Sequence, residues 1–126
     1  MDCYCGNSKT YDVCCGLLHD GSELAGTADT LMRSRYSAYV LALEDYLLAS
    51  WHASTRPASL DFSDATKTKW LGLEIKRHTI NDDQHAQVEF VARYKIGGQP
   101  AVRLHEVSDF ILEDGHWLYV SGVFPA

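Results

Sequence analysis

Four cysteines stand within the first fifteen residues, and the chain has no others. They are Cys3, Cys5, Cys14 and Cys15, in the run Cys-Tyr-Cys-Gly-Asn-Ser-Lys-Thr-Tyr-Asp-Val-Cys-Cys-Gly. Two close pairs separated by the turn-forming stretch Gly6-Asn7-Ser8-Lys9 can bring four thiolates onto one tetrahedral ion. Thiolates suit zinc, and a complete set of four leaves no open coordination position for a substrate. The chemistry expected is therefore a structural Zn2+ that organises a peptide too short to fold by itself. His19 is the nearby residue that could replace a thiol, most readily Cys15, and a site with only three protein ligands would be open to catalysis. A redox pair or a set of unmetallated thiols is the competing reading, weakened by the strain of a disulfide between adjacent residues.

A second group of residues is marked by position rather than by spacing. Glu106 falls on the apolar side of an alternating segment, among Val102, Leu104, Ser108 and Phe110. A carboxylate there must be paired or protonated. Arg35 shares a helical stripe with Leu31, Met32 and Tyr39, so a buried Arg35–Glu106 ion pair is the structural expectation. The alternative is a pocket carboxylate that binds a ligand or moves a proton. Trp51-His52 closes a helical stretch, where a histidine either satisfies the last carbonyls or faces a cavity mouth. The candidate pocket thus holds Arg35, Tyr39, Trp51, His52, Glu106 and Phe110. No residue is assigned as catalytic, because no nucleophile elbow, P-loop or dinucleotide fingerprint is present and Ser37, Ser50, Ser54 and Thr55 lack recognisable triad partners. Most of the aromatic residues read as core.

Composition narrows the classes of partner. The chain has 126 residues, of which 46% are hydrophobic, enough for one domain with a core. A net charge of −6 argues against nucleic acid and against acidic membrane surfaces, both of which need a basic face. The N-terminus has neither the basic nor the apolar region of a signal peptide, and the most apolar stretch, residues 36–51, is broken by Glu44 and Asp45. A cytoplasmic location is expected, where clustered thiols stay reduced and serve as metal ligands.

The elements that must position these residues follow from periodicity. A helix is predicted after the N-cap Thr27, with Asp29 in its first turn, and a second helical piece over about residues 43–51, joined by a kink near Ala42. Residues 59–69 read as a short helix or turn capped by Ser59 or Asp61. From Trp70 the period becomes two. Leu71, Leu73 and Ile75 oppose Glu74, Lys76 and His78, and a turn follows at Asn81-Asp82-Asp83. The next strand sets Ala86, Val88, Phe90, Ala92, Tyr94 and Ile96 on one face. Gly97-Gly98 and Asp114-Gly115 mark two hairpins, and His116 to Val123 is the last strand. Helices followed by an antiparallel meander imply an α+β domain with helices on one sheet face. His105 alternates with Glu106 and belongs to the opposite face, which with Arg103, Asp109 and the last strand either pairs two copies as a homodimer or is merely solvated.

The cysteine pattern, with Ser8, Lys9 and Tyr11 inside it, resembles the SEC-C zinc motif. Leu31-Met-Arg-Ser-Arg-Tyr-Ser-Ala-Tyr-Val40, Trp51-His-Ala-Ser-Thr-Arg-Pro57 and Leu104-His-Glu-Val-Ser-Asp-Phe110 resemble the YchJ family, also called UPF0225. The resemblance spans essentially the whole chain. It implies a SEC-C-like zinc knuckle over residues 1–20 and an NTF2-like, cone-shaped α+β domain over residues 21–126, with helices packed on a curved antiparallel sheet. Many members add a second SEC-C motif, whereas one is read here up to Ala126. The motif prefers Cys15 over His19 as fourth ligand. In the translocase tail that gave the motif its name, the knuckle docks a secretion chaperone, so the resemblance implies a non-catalytic interaction module that meets a protein partner through the knuckle. The alternative is a small-ligand binder or acid/base enzyme built in the cone around Glu106.

Overall fold

The computed structural model describes residues 2–125. After a single 3-10 turn at Tyr11–Val13 come α1 (Cys15–His19), α2 (Ala28–Val40) and α3 (Glu44–Ala49). Four strands follow: β1 (Thr68–Asp82), β2 (His85–Ile96), β3 (Val102–Glu113) and β4 (His116–Val123). They form one antiparallel sheet in the order β1-β2-β3-β4, the meander that the hairpin signals predict. Among the described residues no helix is long and apolar enough to cross a membrane.

Helix α2 begins where the sequence places it. Thr27 is extended and its side chain accepts from the Thr30 N–H at 3.4 Å, with Asp29 facing the positive end of the helix dipole. Its C-terminus is a full stop rather than the expected kink. Ala42 takes a left-handed conformation (φ 56°), the Leu43 N–H donates to the Ala38 carbonyl at 2.8 Å, and the Ala42 N–H donates to the Tyr39 carbonyl at 3.3 Å. That pair of bonds is a Schellman cap, formed here on alanine where glycine is usual. Helix α3 is accordingly shorter than the 43–51 expected. Residues 59–67 hold turns and no helix; Asp61 does cap locally, its carboxylate accepting from the Ser63 N–H at 2.8 Å. Glu44 anchors this stretch to α3 by accepting the Leu60 N–H at 2.7 Å.

The core lies between α2 and the inner sheet face. Ala28, Leu31, Met32 and Tyr36 pack on Ala86, Val88, Phe90 and Ala92 of β2 and on Phe110 of β3. Strand β1 departs from simple alternation. Its register against β2 shifts between Trp70 and Gly72 and again between Ile75 and Arg77. The first bulge sends Leu71 outward, 45% exposed, while Trp70, Leu73 and Ile75 pack on the core. After the second, His78 reaches the helix side, its Nδ1 3.5 Å from the Asp29 carboxylate. Bulges also strengthen local twist, which curves the sheet around α2. The first hairpin turns at Asp83-Gln84, because Asp82 pairs with His85. In the last, Asp114 (φ 53°) and Gly115 (φ 80°) both adopt the left-handed conformation that two-residue hairpins require. The chain leaving α3 is tied to β4: the Tyr119 N–H donates to the Ser50 carbonyl at 2.9 Å, and the His52 N–H to the Tyr119 carbonyl at 2.7 Å.

Exposed Ala42 carries a side chain in a conformation that costs an L-residue about 1–2 kcal/mol. Ala42→Gly is expected to stabilise the protein by about 1 kcal/mol, a shift in urea midpoint at constant m-value; an unchanged or lower midpoint would contradict the cap.

Candidate functional site

The four sulfurs predicted to converge do so. Cys3, Cys5, Cys14 and Cys15 place their Sγ atoms within 4.8 Å of one another, and Cys5 Sγ lies 3.7 Å from Cys14 Sγ. Four thiolates at about 2.3 Å from one tetrahedral zinc would be about 3.8 Å apart, so the cluster fits a metal ion with little adjustment. All four cysteines are free of disulfides, and Cys3, Cys5 and Cys15 are buried. Gly16 is obligatory beside them, since a Cβ there would lie 2.8 Å from the Tyr11 carbonyl oxygen. The Cys5 thiol is held down to about 5, chiefly by its hydrogen bond with Cys15, against the opposing effect of burial. The same bond, then burial, pushes Cys15 up, and burial raises Cys14. A cluster that already favours a thiolate at Cys5 is an attractive seat for a cation. Asn7 Nδ2 donates to Cys14 Sγ at 3.6 Å, so an uncharged donor steadies the half-buried thiol.

His19 stands outside the cysteine cluster. Its Nε2 donates to the Ser34 carbonyl at 2.8 Å and its Nδ1 accepts from the Tyr11 hydroxyl at 2.6 Å, which commits both ring nitrogens and fixes the neutral tautomer. The imidazole instead joins the cysteine segment to α2, packed edge-on against Tyr46 at 4.6 Å. Two further contacts work the same way. Arg33 Nη1 donates to the Cys5 carbonyl at 2.7 Å, and Cys3 Sγ lies 3.7 Å from Ser37 Oγ.

The other side of α2 borders a cavity of about 450 Å³ between the helices and the inner sheet face. Of the candidate pocket residues, Arg35, Tyr39, Trp51 and Glu106 line it. His52 and Phe110 do not. Phe110 is 1% exposed and sits in the core beneath, edge-on to Tyr119. His52 closes a surface turn: its Nδ1 accepts from the Ser54 N–H at 3.1 Å and pairs with Ser54 Oγ at 2.7 Å, while Nε2 meets Glu113 at 2.8 Å. With Nδ1 shared by a backbone N–H, this Ser-His-Glu chain caps a turn rather than activating a nucleophile.

The expected Arg35–Glu106 ion pair does not form. Arg35 Nη1 donates to the Leu47 carbonyl at 2.9 Å and to Ser50 Oγ at 2.6 Å. The guanidinium lies 4.6 Å from the Tyr119 ring and 5.0 Å from the Trp51 ring. Burial lowers its pKa, opposed by nearby tyrosines and by Glu106, and a guanidinium stays charged under such a shift. Glu106 receives Ser108 Oγ at 2.6 Å and the Tyr119 hydroxyl at 3.2 Å, both on Oε2. Burial, then Glu106, raises the Tyr119 phenol, which therefore remains a donor. Gly122 across the ladder leaves room for this carboxylate, because any Cβ there would collide with Oε2. Ser108 was legible as a same-face neighbour of Glu106. Tyr119 and Gly122 were not, since a register shift between Asp109 and Phe110 decides which β4 residues face inward. On the outer face, His105 pairs with Glu89 at 2.7 Å and Gln87 with Asp109 at 2.8 Å, well separated from Glu106.

A family model described as the YchJ middle NTF2-like domain matches residues 27–122. The chain belongs to the YchJ (UPF0225) family. A UPF0225 protein of Xanthomonas campestris is 52% identical over 118 residues, covering 94% of this chain and 91% of its own. Another, from Bordetella pertussis, is 51% identical over 122 residues, covering 95% and 90%. The solution structure of a SEC-C motif containing protein from Rhodopseudomonas palustris superposes with a TM-score of 0.87 at 33% identity, over 100% of both chains. The crystal structure of a SEC-C motif containing protein from Psychrobacter arcticus gives 0.80 at 30% identity, over 98% of this chain and 82% of that one. The NTF2-like fold expected behind a SEC-C segment is thus the fold of this UPF0225 protein. Its helices cover the inner face of the four-stranded sheet, and its cysteines gather at the outer side of α2.

His19 gives the family fold a pH-dependent joint. Burial holds its pKa below the ordinary 6.5. The unfolded chain therefore takes a proton first as pH falls, and the stability supplied by neutral His19 is full above 6.5 and drains away below it. Wild type should lose stability relative to His19→Gln as pH falls through 6.5 and below, in paired urea titrations. A constant difference would refute the joint.

Proposed function

We infer that this protein is a small-molecule-binding domain whose cysteine segment is a structural zinc clamp. The reading rests on one observation: the buried charges of the cone are not spent on each other. Arg35 is satisfied by α3 and two aromatic faces, and Glu106 keeps a carboxylate oxygen free towards a cavity of about 450 Å³. That volume lies in the range of small-ligand sites, with apolar walls and few polar groups at depth. A cone built only as a scaffold for the knuckle would be expected to fill this space, since interiors close-pack. No reaction is assigned, because the groups bonded to Glu106 are the hydroxyls of Ser108 and Tyr119, and burial raises the Tyr119 phenol so that it stays a donor.

Zinc is the ion that the thiolate chemistry favours, and a closed four-sulfur shell suits a structural role. The sulfurs are supplied from the side of α2 opposite the cavity, so the ion would brace the helix that forms the cavity wall. Protein purified without chelator is expected to carry about one zinc per chain and to release four titratable thiols on metal removal. Cys15→Ser should lower the metal content sharply, whereas His19→Gln should retain it. Three protected thiols, or zinc loss in His19→Gln, would overturn the closed site.

Binding in the cavity is tested by saturation-transfer NMR with an aromatic fragment library. Ala65 is half-buried at the mouth, on a turn that tolerates a larger side chain. Fragments that bind wild type should be lost in Ala65→Trp with the melting temperature unchanged. Signals indifferent to that substitution would place binding elsewhere and end the reading.

A further inference from the structure

We propose that the cavity selects an organic cation, a protonated primary or secondary amine on an aromatic or aliphatic body, whose ammonium donates to Glu106 Oε1. The proposal rests on the reading of the cavity as a binding site and specifies what that site takes.

Glu106 is 9% exposed, and both of its hydrogen bonds fall on Oε2. Oε1 has no partner among the described residues, yet no buried side-chain oxygen is left unsatisfied there, so Oε1 is accessible on a residue that lines the cavity. A carboxylate oxygen accepts and never donates, and the strongest complement to a partly desolvated one is a charged N–H. Gly122 holds the space in which the carboxylate sits, and Ser108 and Tyr119 fix its orientation from the Oε2 side. The free lone pairs are thereby aimed before any ligand arrives, which reduces the ordering cost of binding.

The surrounding charge points the same way. Three carboxylates line the cavity, Glu106 at depth and Asp61 and Asp64 at the mouth, against one guanidinium. That guanidinium is the cation an anionic ligand would need, and its Nη1 is engaged with Leu47 and Ser50 while two ring faces lie against it. An anionic ligand placed at Glu106 would meet a like charge, with Nη1 of Arg35 already turned to α3. The walls are aromatic: Tyr36 and Tyr94 flank Trp70 with ring centroids 5.5 and 5.2 Å away, and Tyr39 lies at 6.1 Å. Aromatic faces carry negative quadrupole charge and attract an ammonium or its polarised neighbouring CH groups. The chain's net charge of −6 adds a long-range field that favours entry of cations.

Three probes of nearly equal shape separate the possibilities: phenethylammonium, 2-phenylethanol and 3-phenylpropionate, each titrated into the full chain by NMR. The ammonium is expected to bind about tenfold or more tightly than the alcohol, and the propionate not measurably. Glu106→Gln should reduce the ammonium to the level of the alcohol while leaving the alcohol within about threefold. The ranking of the probes on wild type stands even where that variant folds poorly. Tightest binding by the propionate overturns the proposal and assigns the site to Arg35. An ammonium preference that survives Glu106→Gln also overturns it, since the mouth carboxylates would then be responsible. Absence of ammonium binding overturns it too. If fragments sensitive to Ala65→Trp still bind in that case, the cavity remains a ligand site of another chemistry; if none do, the cavity reading falls with it.

Discussion

The placement of one positive charge governs the rest of this structure. Arg35 is 3% exposed on the helix that spans the sheet, and its guanidinium must be satisfied where it lies. It is satisfied by the carbonyl of Leu47 and the hydroxyl of Ser50, which are the end of α3, and by the faces of Trp51 and Tyr119. Four residues from three parts of the chain are fixed by that one group. The α3 C-terminus is held against α2, the residues after it are drawn alongside β4, and the Tyr119 ring is oriented so that its hydroxyl reaches Glu106. With Nη1 of Arg35 turned to the end of α3, Glu106 has hydroxyl partners on one oxygen and an open lone pair on the other.

Helix α2 is consequently buried on two sides with different chemistry. Arg33, Ser34 and Ser37 face the cysteine segment, while Met32, Arg35, Tyr36 and Tyr39 face the sheet and cavity. At 3.6 residues per turn the two sets fall on opposite halves of the helix surface. The first side is made of small and polar residues because it must admit a compact peptide and meet its carbonyls and sulfurs. Ser34 shows the consequence: fully buried, it is bonded to the Leu31 carbonyl and to the Tyr46 hydroxyl, and its own carbonyl takes His19. The cysteine cluster and the cavity are thus neighbours through one helix thickness. Loss of order at the thiolates would reach the cavity wall through Arg33 and His19.

Much of this was legible in the sequence, and the failures share a cause. The four cysteines, the Thr27 cap, the Asp114-Gly115 hairpin and the inward set of β2 are local signals, each set by a single residue's chemistry or by strict alternation. Periodicity also placed Arg35 and Glu106 on facing surfaces correctly. It could not say whether they touch, because a face contains several partners and Leu47, Ser50, Ser108 and Tyr119 answered first. The same limit put Phe110 in the pocket list: an inward residue of β3 belongs either to the core or to the cavity according to what lies above it. Leu71 and His78 failed differently, through bulges that add a residue to one strand and reverse every side chain beyond them. The cavity mouth at Leu60, Phe62 and Ala65 was read as a helix or turn with no role, though apolar residues in an otherwise polar stretch were the available sign.

The persistence of an opening in this interior has a physical account. Protein cores close onto voids when the lining side chains can relax, and flexible aliphatic residues relax readily. Here the walls are rings braced on one another: Trp70 contacts Tyr36, Tyr39 and Tyr94, and Tyr39 contacts Phe62. A ring wedged between two others has few rotamers that move it into the space beside it. The floor resists collapse for an electrostatic reason. Driving an apolar ring onto Glu106 Oε1 would strip its remaining solvation with no hydrogen bond in return, at a cost of roughly 1–3 kcal/mol or more for a charged group. Rigid walls and a carboxylate oxygen without a hydrogen-bond partner together keep the cavity open.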